Sequence, residues 1–269
     1  MIARDEAEHI AACLASLSFC DELIVLDSGS TDGTRAIAEA AGARVFEHPF
    51  DGFGAQKNRA VALASHDWVV CLDADERVSP RLRDEVIALR DGGFPGHAGW
   101  TAPRLSHYLG AWIRYGTWYP NRQLRLYDRR CGRWGGAPPH ERVSLDGPAG
   151  RLRGDIEHHP YSSIEDHLRT IDAYTTTMAL ELDARGRRAR MSDLLLRPGW
   201  RFLRFYFLKR GFLHGWRGLL LAYLASYYVW LKYAKLLALQ RAAPSARPAA
   251  PFPAADSARG SAPHGVQPI

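Results

Sequence analysis

Cysteine is scarce in this chain, acids vanish from one long segment, and no apolar run is long. The 269 residues include four cysteines. Cys13, Cys20, Cys71 and Cys131 show no CxxC spacing and no matching histidine cluster. That excludes a zinc or disulfide framework and points to free thiols in a reducing cytoplasm. The opening MIARDEAEHI has early acids and no apolar stretch, so no signal peptide is expected. Between Arg197 and Gln240 there are eight Lys or Arg and no Asp or Glu. Within that segment only fourteen uncharged residues separate Arg217 from Lys232, short of the roughly twenty that a membrane span requires.

What is present bounds the rest. Hydrophobic residues make up 46% of the chain, enough for a sizeable core in one large domain or one domain with an appended module. The net charge of +6 is unevenly spread: a second basic region, from Arg122 to Arg153, sets eight Arg against three acids. Two localised basic regions imply two anionic partners, or one anionic ligand and one anionic surface.

The first ninety residues alternate between two periods. ELIVLD (22–27) and DWVVCLD (67–73) are apolar runs that each stop at an acid, the pattern of buried parallel strands. RVFEH (44–48) is a weaker strand between them, and helical stretches lie at 6–17, 34–42 and 55–65, with Gly42 as a helix stop. This spacing predicts an α/β layered sheet, in which ligands bind beyond the carboxyl ends of the strands, where both strand-end acids would sit. From residue 97 the pattern breaks into short strands and loops, with QLRLYDRR (123–130) alternating like a strand. Residues 163–185 read as helix, 198–240 as a long aromatic, basic and apolar segment, and the tail 241–269 as disordered.

Two strand ends carry candidate chemistry. In VLDSGSTDGT (25–34) a Ser/Gly turn follows Asp27. This is either a well-capped βα turn or one whose backbone N–H groups and Asp27 carboxylate meet a ligand. In LDADE (72–76), Asp73 and Asp75 are two residues apart, and a curl at the strand end would let both carboxylates approach one cation. Oxygen ligation at an open site suits Mg²⁺ or Mn²⁺ shared with phosphate oxygens. The alternative is an exposed acidic loop before the helix that Ser79-Pro80 opens. HHPYSSIEDH (158–167) reads as a strand end followed by a helix cap, without a catalytic role.

IARDEAEHI, LIVLDSGSTDGT, FDGFGAQKN and WVVCLDADERVSP, in this order and spacing, resemble family 2 glycosyltransferases of the GT-A fold. Within them the likeness is to the lipopolysaccharide core-biosynthesis β-glucosyltransferase-like group, over roughly residues 1–240. The resemblance implies a mixed α/β sheet flanked by helices, with a C-terminal amphipathic helical region. It also implies inverting transfer of a hexose, glucose in that group, from a UDP-sugar to a lipid-linked saccharide such as the lipopolysaccharide inner core. It maps a uracil contact to Asp27, with Ser28 beside it in the donor site, and gives Asp73 and Asp75 a metal, Mg²⁺ or Mn²⁺, held against the diphosphate. Asp73 and Asp75 are then expected to be neutralised by metal and diphosphate rather than by protein. One departure is that only Met1 and Ile2 precede Ala3, where the family has a fuller apolar strand; this reads as a misassigned start.

Inverting transfer needs a general base for the acceptor hydroxyl. GGAPPHERV (135–143) supplies Glu141 as that base, with His140 orienting it or touching the donor phosphate; otherwise Glu141 pairs with a neighbouring arginine. Lys57 is expected near the phosphates. Arg122 and Arg125 suit a diphosphate leaving group, or else a charge-blunted strand edge. The expected organisation is a nucleotide-sugar half at 1–105, an acceptor-binding half at 106–160, a helical membrane-associating region at 161–240 and the tail.

Residues 198–240 mix Trp, Tyr and Phe with Arg and Lys, as does a helix lying in a headgroup layer. Each basic residue near an anionic surface contributes on the order of 1 kcal/mol. The rival reading packs these aromatics against the sheet. The expected location is peripheral, on the cytoplasmic face of the inner membrane. No nucleic-acid-binding motif is recognised, so no nucleic acid partner is expected, and nothing in the sequence speaks to oligomeric state. Two other classes compete. A phosphohydrolase using DADE as nucleophile and acid expects that motif after the chain's first strand. A degenerate, membrane-bound scaffold is argued against by intact Asp27, Asp73 and Asp75 and argued for by the short first strand.

Overall fold

The computed structural model describes residues 1–136 and 141–241. His140 and the tail from residue 242 onward lie outside the described residues. The strands and helices of the first ninety residues form near their expected places: β1 (Ile2–Ala3), α1 (Ile10–Ser16), β2 (Ile24–Asp27), α2 (Thr34–Ala40), β3 (Arg44–Glu47), α3 (Phe53–Ala62), β4 (Trp68–Val70), β5 (Glu76–Val78) and α4 (Pro80–Asp91). Ser79 caps α4 by accepting a hydrogen bond from the Leu82 N–H at 3.3 Å, and Pro80 takes the first helical position, where its missing N–H costs nothing. Seven further strands follow: β6 (Gly99–Tyr108), β7 (Ala111–Ile113), β8 (Asn121–Asp128), β9 (Gly132–Gly135), β10 (Arg142–Leu145), β11 (Ala149–Arg151) and β12 (Ile156–His158). The chain then turns helical through α5 (Ile164–Ala184), α6 (Met191–Leu203) and α7 (Trp216–Arg241).

Two compact units result, the first made of Met1–Ser106 and Pro120–Pro160, the second of residues 107–119 and the helices from Tyr161. The stretch expected as one acceptor half, 106–160, is thus divided between them. In the first unit β1, β2 and β3 form a parallel sheet that aligns Ala3 with Asp27 and Asp27 with Glu47. A second, mixed sheet runs in the order β4-β8-β6-β12-β5. Here the expectation of a parallel β4 is corrected. Its hydrogen-bonded neighbour is β8, which runs antiparallel to it, because β8 is inserted between β4 and β6 and runs antiparallel to both. The pairing of β8 with β6 jumps from Trp100–Leu126 to Thr101–Leu124. Arg125 is therefore the extra residue of a β-bulge, a device that re-aims a side chain.

In the second unit Ser163 caps α5, accepting from the Asp166 N–H at 3.1 Å. The long segment expected at 198–240 is broken by a π-helical turn (Arg204–Leu208) and a short 3₁₀ turn (Gly211–His214) before α7. α7 is apolar on two sides, of which one is buried. Leu221, Ala222, Leu224, Ala225, Tyr228 and Val229 are buried, whereas Trp216, Leu219, Tyr223, Tyr227 and Trp230 are exposed. The buried side joins Phe205, Tyr108 and Ile171 in one core. Among the described residues no helix is long and apolar enough to cross a membrane.

His167 is buried in this unit, stacked on Tyr161 with ring centroids 4.1 Å apart and hydrogen-bonded through Nδ1 to the Tyr108 hydroxyl at 3.0 Å. Burial pushes its pKa down to about 4. In the unfolded chain histidine protonates near 6.5, so between those values the unfolded state takes up a proton that the folded state refuses. Stability should therefore fall by about 3 kcal/mol as pH drops from 6.5 to 4. Urea unfolding at stepped pH measures this, and His167→Phe should flatten that part of the profile.

Candidate active site

The site is built at the carboxyl ends of β2 and β4. Asp27 ends β2 fully buried, and its carboxylate accepts from the N–H groups of Gly29 and Ser30 at 2.9 and 2.8 Å and from the Ser30 hydroxyl. The turn thus uses both Asp27 oxygens to hold its own shape. Ser28, next along, faces a cavity and accepts from the Gln56 side-chain amide at 2.9 Å. The stretch after Gly52 is used residue by residue as α3 begins. Gln56 ties α3 to Ser28 and to the His48 carbonyl. Lys57 meets Asp73 Oδ1 at 2.6 Å, and Asn58 makes a reciprocal pair of hydrogen bonds with the Trp134 backbone at 2.9 and 3.0 Å. Trp134 then lies under the Lys57 ammonium, 4.4 Å from ring centre to Nζ, a cation–π contact.

Asp73 is held on its other side by Arg125, whose Nη2 lies 2.6 Å from Asp73 Oδ2 and 2.8 Å from Glu76 Oε1. Glu76, fully buried, also meets Arg104 at 3.3 Å and accepts from the Asp73 N–H at 3.1 Å. The expectation that metal and diphosphate rather than protein neutralise Asp73 and Asp75 is corrected for Asp73: Lys57 and Arg125 both meet it, and Arg104 joins Arg125 on the neighbouring Glu76. The physical reason is burial, since a carboxylate this far from water is tolerated only with partners in hydrogen-bond contact. Burial by itself would raise the Asp73 pKa, but Arg125 and Lys57 hold it well below the ordinary carboxylate value. Burial likewise opposes the charge on Arg125, and Asp73 and Glu76 more than restore it.

The two aspartates of the motif do not converge on one point. A tight turn, closed by the Glu76 N–H to the Asp73 carbonyl at 3.0 Å, sends Asp75 to His158, with Oδ2 and Nε2 3.2 Å apart. His158 is itself held by Ser106, whose hydroxyl lies 3.1 Å from Nδ1. Among the described residues no group of three or more His, Cys, Asp or Glu side chains forms a metal cage. Asp75 with His158 offers one carboxylate and one imidazole instead. These are two of the donors a divalent ion needs, and their mutual 3.2 Å contact would have to open for both to face one. His158 belongs to the stretch expected to be a strand end without a catalytic role, and the structure places it against the DxD turn. Its pairing with the DxD turn depends on β12 lying antiparallel to β5, with His158 opposite Glu76, and no local signal announces that.

One cavity gathers most of the expected residues. Ser28, Lys57, Asp73, Arg122, Arg125 and Glu141 all line it, beside Phe50, Phe53 and Trp134. Arg122 reaches it by anchoring Nη1 on the carbonyls of Thr101 and Leu152 at 3.2 and 3.0 Å. An alternating strand would point Arg122 and Arg125 to opposite faces; the bulge is what brings both here. Asp27 and Asp75 sit behind the wall, adjacent in sequence to lining residues Ser28 and Ala74.

Removing Glu76 would leave two buried guanidinium groups without their shared carboxylate. Glu76→Ala should cost about 3–5 kcal/mol in urea unfolding. The depressed Asp73 pKa adds a pH signature. Its stabilisation is complete above the unfolded value near 3.9 and fades as pH falls below that toward the folded value. Asp73→Asn should remove this acid limb from the stability profile.

A family model described as Glycosyl transferase family 2 matches residues 1–131. The lipopolysaccharide core biosynthesis glycosyltransferase LpsC of Rhizobium meliloti is 31% identical over 92% of this chain and 93% of its own length. An uncharacterized glycosyltransferase of Rickettsia felis is 28% identical over 88% of this chain and 87% of its own. Among solved structures, glucosyl-3-phosphoglycerate synthase from Mycobacterium tuberculosis, in complex with Mn²⁺, UDP and glucosyl-3-phosphoglycerate, is 32% identical. That match covers 39% of this chain and 42% of that one, with a TM-score of 0.32. The match to LpsC runs through both units, and the mixed sheet with its flanking helices is the GT-A arrangement expected from the motifs. The chain belongs to glycosyltransferase family 2.

Proposed function

We propose that this glycosyltransferase moves a hexose, glucose being the first candidate, from a UDP-sugar to a lipid-linked saccharide such as the lipopolysaccharide inner core. Transfer proceeds with inversion, at the cytoplasmic face of the inner membrane, with the enzyme bound peripherally. The acceptor class is supported by the likeness to LpsC. The observation that carries the chemistry is the cavity in which Lys57 and Arg125 flank Asp73 while Glu141 lines the wall.

In this reading Asp27 and Ser28 lie beside the base and ribose of the donor. Lys57, Arg122 and Arg125 face the diphosphate, and their fixed positive charge stabilises the negative charge that grows on departing UDP. Asp73 holds Lys57 and Arg125 in place, so the cations need no reorganisation during the reaction. Asp75 with His158 would hold Mg²⁺ or Mn²⁺, which supplies further charge neutralisation at the phosphates. Glu141 takes the proton from the acceptor hydroxyl on the side opposite the leaving group.

UDP release from UDP-glucose, with and without Mn²⁺, tests the reading. Wild type should show metal-dependent release, and Asp75→Ala should lose about 10²–10³ in rate, the order seen when one electrostatic stabiliser is removed. Glu141→Gln should lower kcat by roughly 10²–10⁴ while UDP affinity stays unchanged. If Glu141 serves only as an arginine partner, stability or UDP affinity will move instead. Failure of the wild type to bind nucleotide at all would favour the degenerate scaffold.

A further inference from the structure

We infer that the outward face of α6, the turn over residues 204–215 and α7 docks on an anionic lipid bilayer, with the tip from Phe207 to Leu213 entering the headgroup layer. The inference rests on the peripheral-membrane reading above and adds the element that inserts.

The first observation is that α6 is inverted. It buries Asp193 and Arg201, at 3% and 2% exposure, while Leu195, Leu196 and Trp200 stand 67%, 70% and 50% exposed. Water-facing helices do the opposite, so an exposed apolar face of this kind marks a surface meant for another phase. On α7 the exposed Trp216, Leu219, Tyr223, Tyr227 and Trp230 recur at three- and four-residue spacing, which is one face of a helix. The two faces are continuous. Phe202 and Tyr223 have ring centroids 5.0 Å apart, and Tyr206 links Phe207 at 5.1 Å to Phe212 at 6.2 Å.

The tip is built to stay in shape while exposing apolar groups. Phe207, Leu208, Phe212 and Leu213 are all exposed there. Arg210 adopts φ 55°, and a Cβ on Gly218 would fall 1.9 Å from the Gly211 carbonyl oxygen, so only glycine lets α7 close on the turn. Lys209 and Arg210 project between the apolar tip residues, both exposed.

Charge selects the occupant. Of the eight Lys or Arg between Arg197 and Gln240, Arg201 is buried and Arg197 and Lys235 pair with Asp193 and Asp172, while Lys209 and Arg210 stand exposed at the tip, where they complement anionic headgroups. A two-fold contact between copies would instead set this basic surface against itself. Aromatic rings at the rim and apolar side chains at the tip match the layered polarity of a bilayer surface.

Flotation of the full chain with vesicles of phosphatidylcholine, alone or mixed with phosphatidylglycerol, provides the test. The wild type should bind the mixed vesicles at least about tenfold more tightly, and high salt should release it. Two variants probe the tip: Lys209→Glu with Arg210→Glu, and the quadruple serine replacement of Phe207, Leu208, Phe212 and Leu213. Each should weaken vesicle binding at least about tenfold, with circular dichroism and vesicle-free UDP release unchanged. Equal flotation of the wild type and both variants would overturn the inference. So would a lipid-free dimer that the variants dissolve while vesicle binding persists. Wild type that floats yet releases no UDP would sink the transferase reading and leave this surface standing.

Discussion

The buried contact of Arg125 with Asp73 and Glu76 is the constraint on which the first unit's site depends. Carboxylates away from water need cations in contact, and these cations come from separate elements: Lys57 from α3, Arg125 from β8, Arg104 from β6. Meeting that demand fixes where α3, β6 and β8 end relative to the turn after β4. The same geometry leaves a cavity whose wall is cationic on one side and carries Glu141 on another. In the proposed function, structural neutralisation and donor binding are served by one set of charges.

Such a knot is also a preorganised electrostatic environment. Lys57 is confined by Asp73 and by the Trp134 ring, and Trp134 is pinned in turn by Asn58. In the proposed reaction each restraint removes a freedom that the leaving diphosphate would otherwise have to freeze out, which is the physical content of catalysis by fixed dipoles and charges. In the second unit the logic runs the other way. There the polar groups of α6 turn inward, Asp193 taking Arg187 and Arg197 at 3.1 and 2.6 Å, and leave apolar side chains outside.

Much of this was legible beforehand, for identifiable reasons. Helix caps at Ser79 and Ser163, the strand that ends at Asp27 and the alternating strand around residues 121–128 all follow from local chemistry and sequence period. The gathering of Ser28, Lys57, Asp73 and Glu141 around one cavity follows from motifs that lie at strand and helix ends. What escaped was non-local. The antiparallel neighbour of β4, the bulge at Arg125, the Asp75–His158 pair and the burial of one side of α7 all depend on segments that meet only after the chain has folded.

By itself, then, the sequence determined which residues carry charge at strand ends and which segments are helix or strand, because capping, period and composition act over a few residues. Its motifs also identified the transferase family. Only the tertiary structure decided how those charges are shared: Asp73 with Lys57 and Arg125, Glu76 with Arg104 and Arg125, Asp75 with His158. Electrostatic partners inside a protein are chosen by proximity and burial, and both come into being only when distant strands are laid side by side.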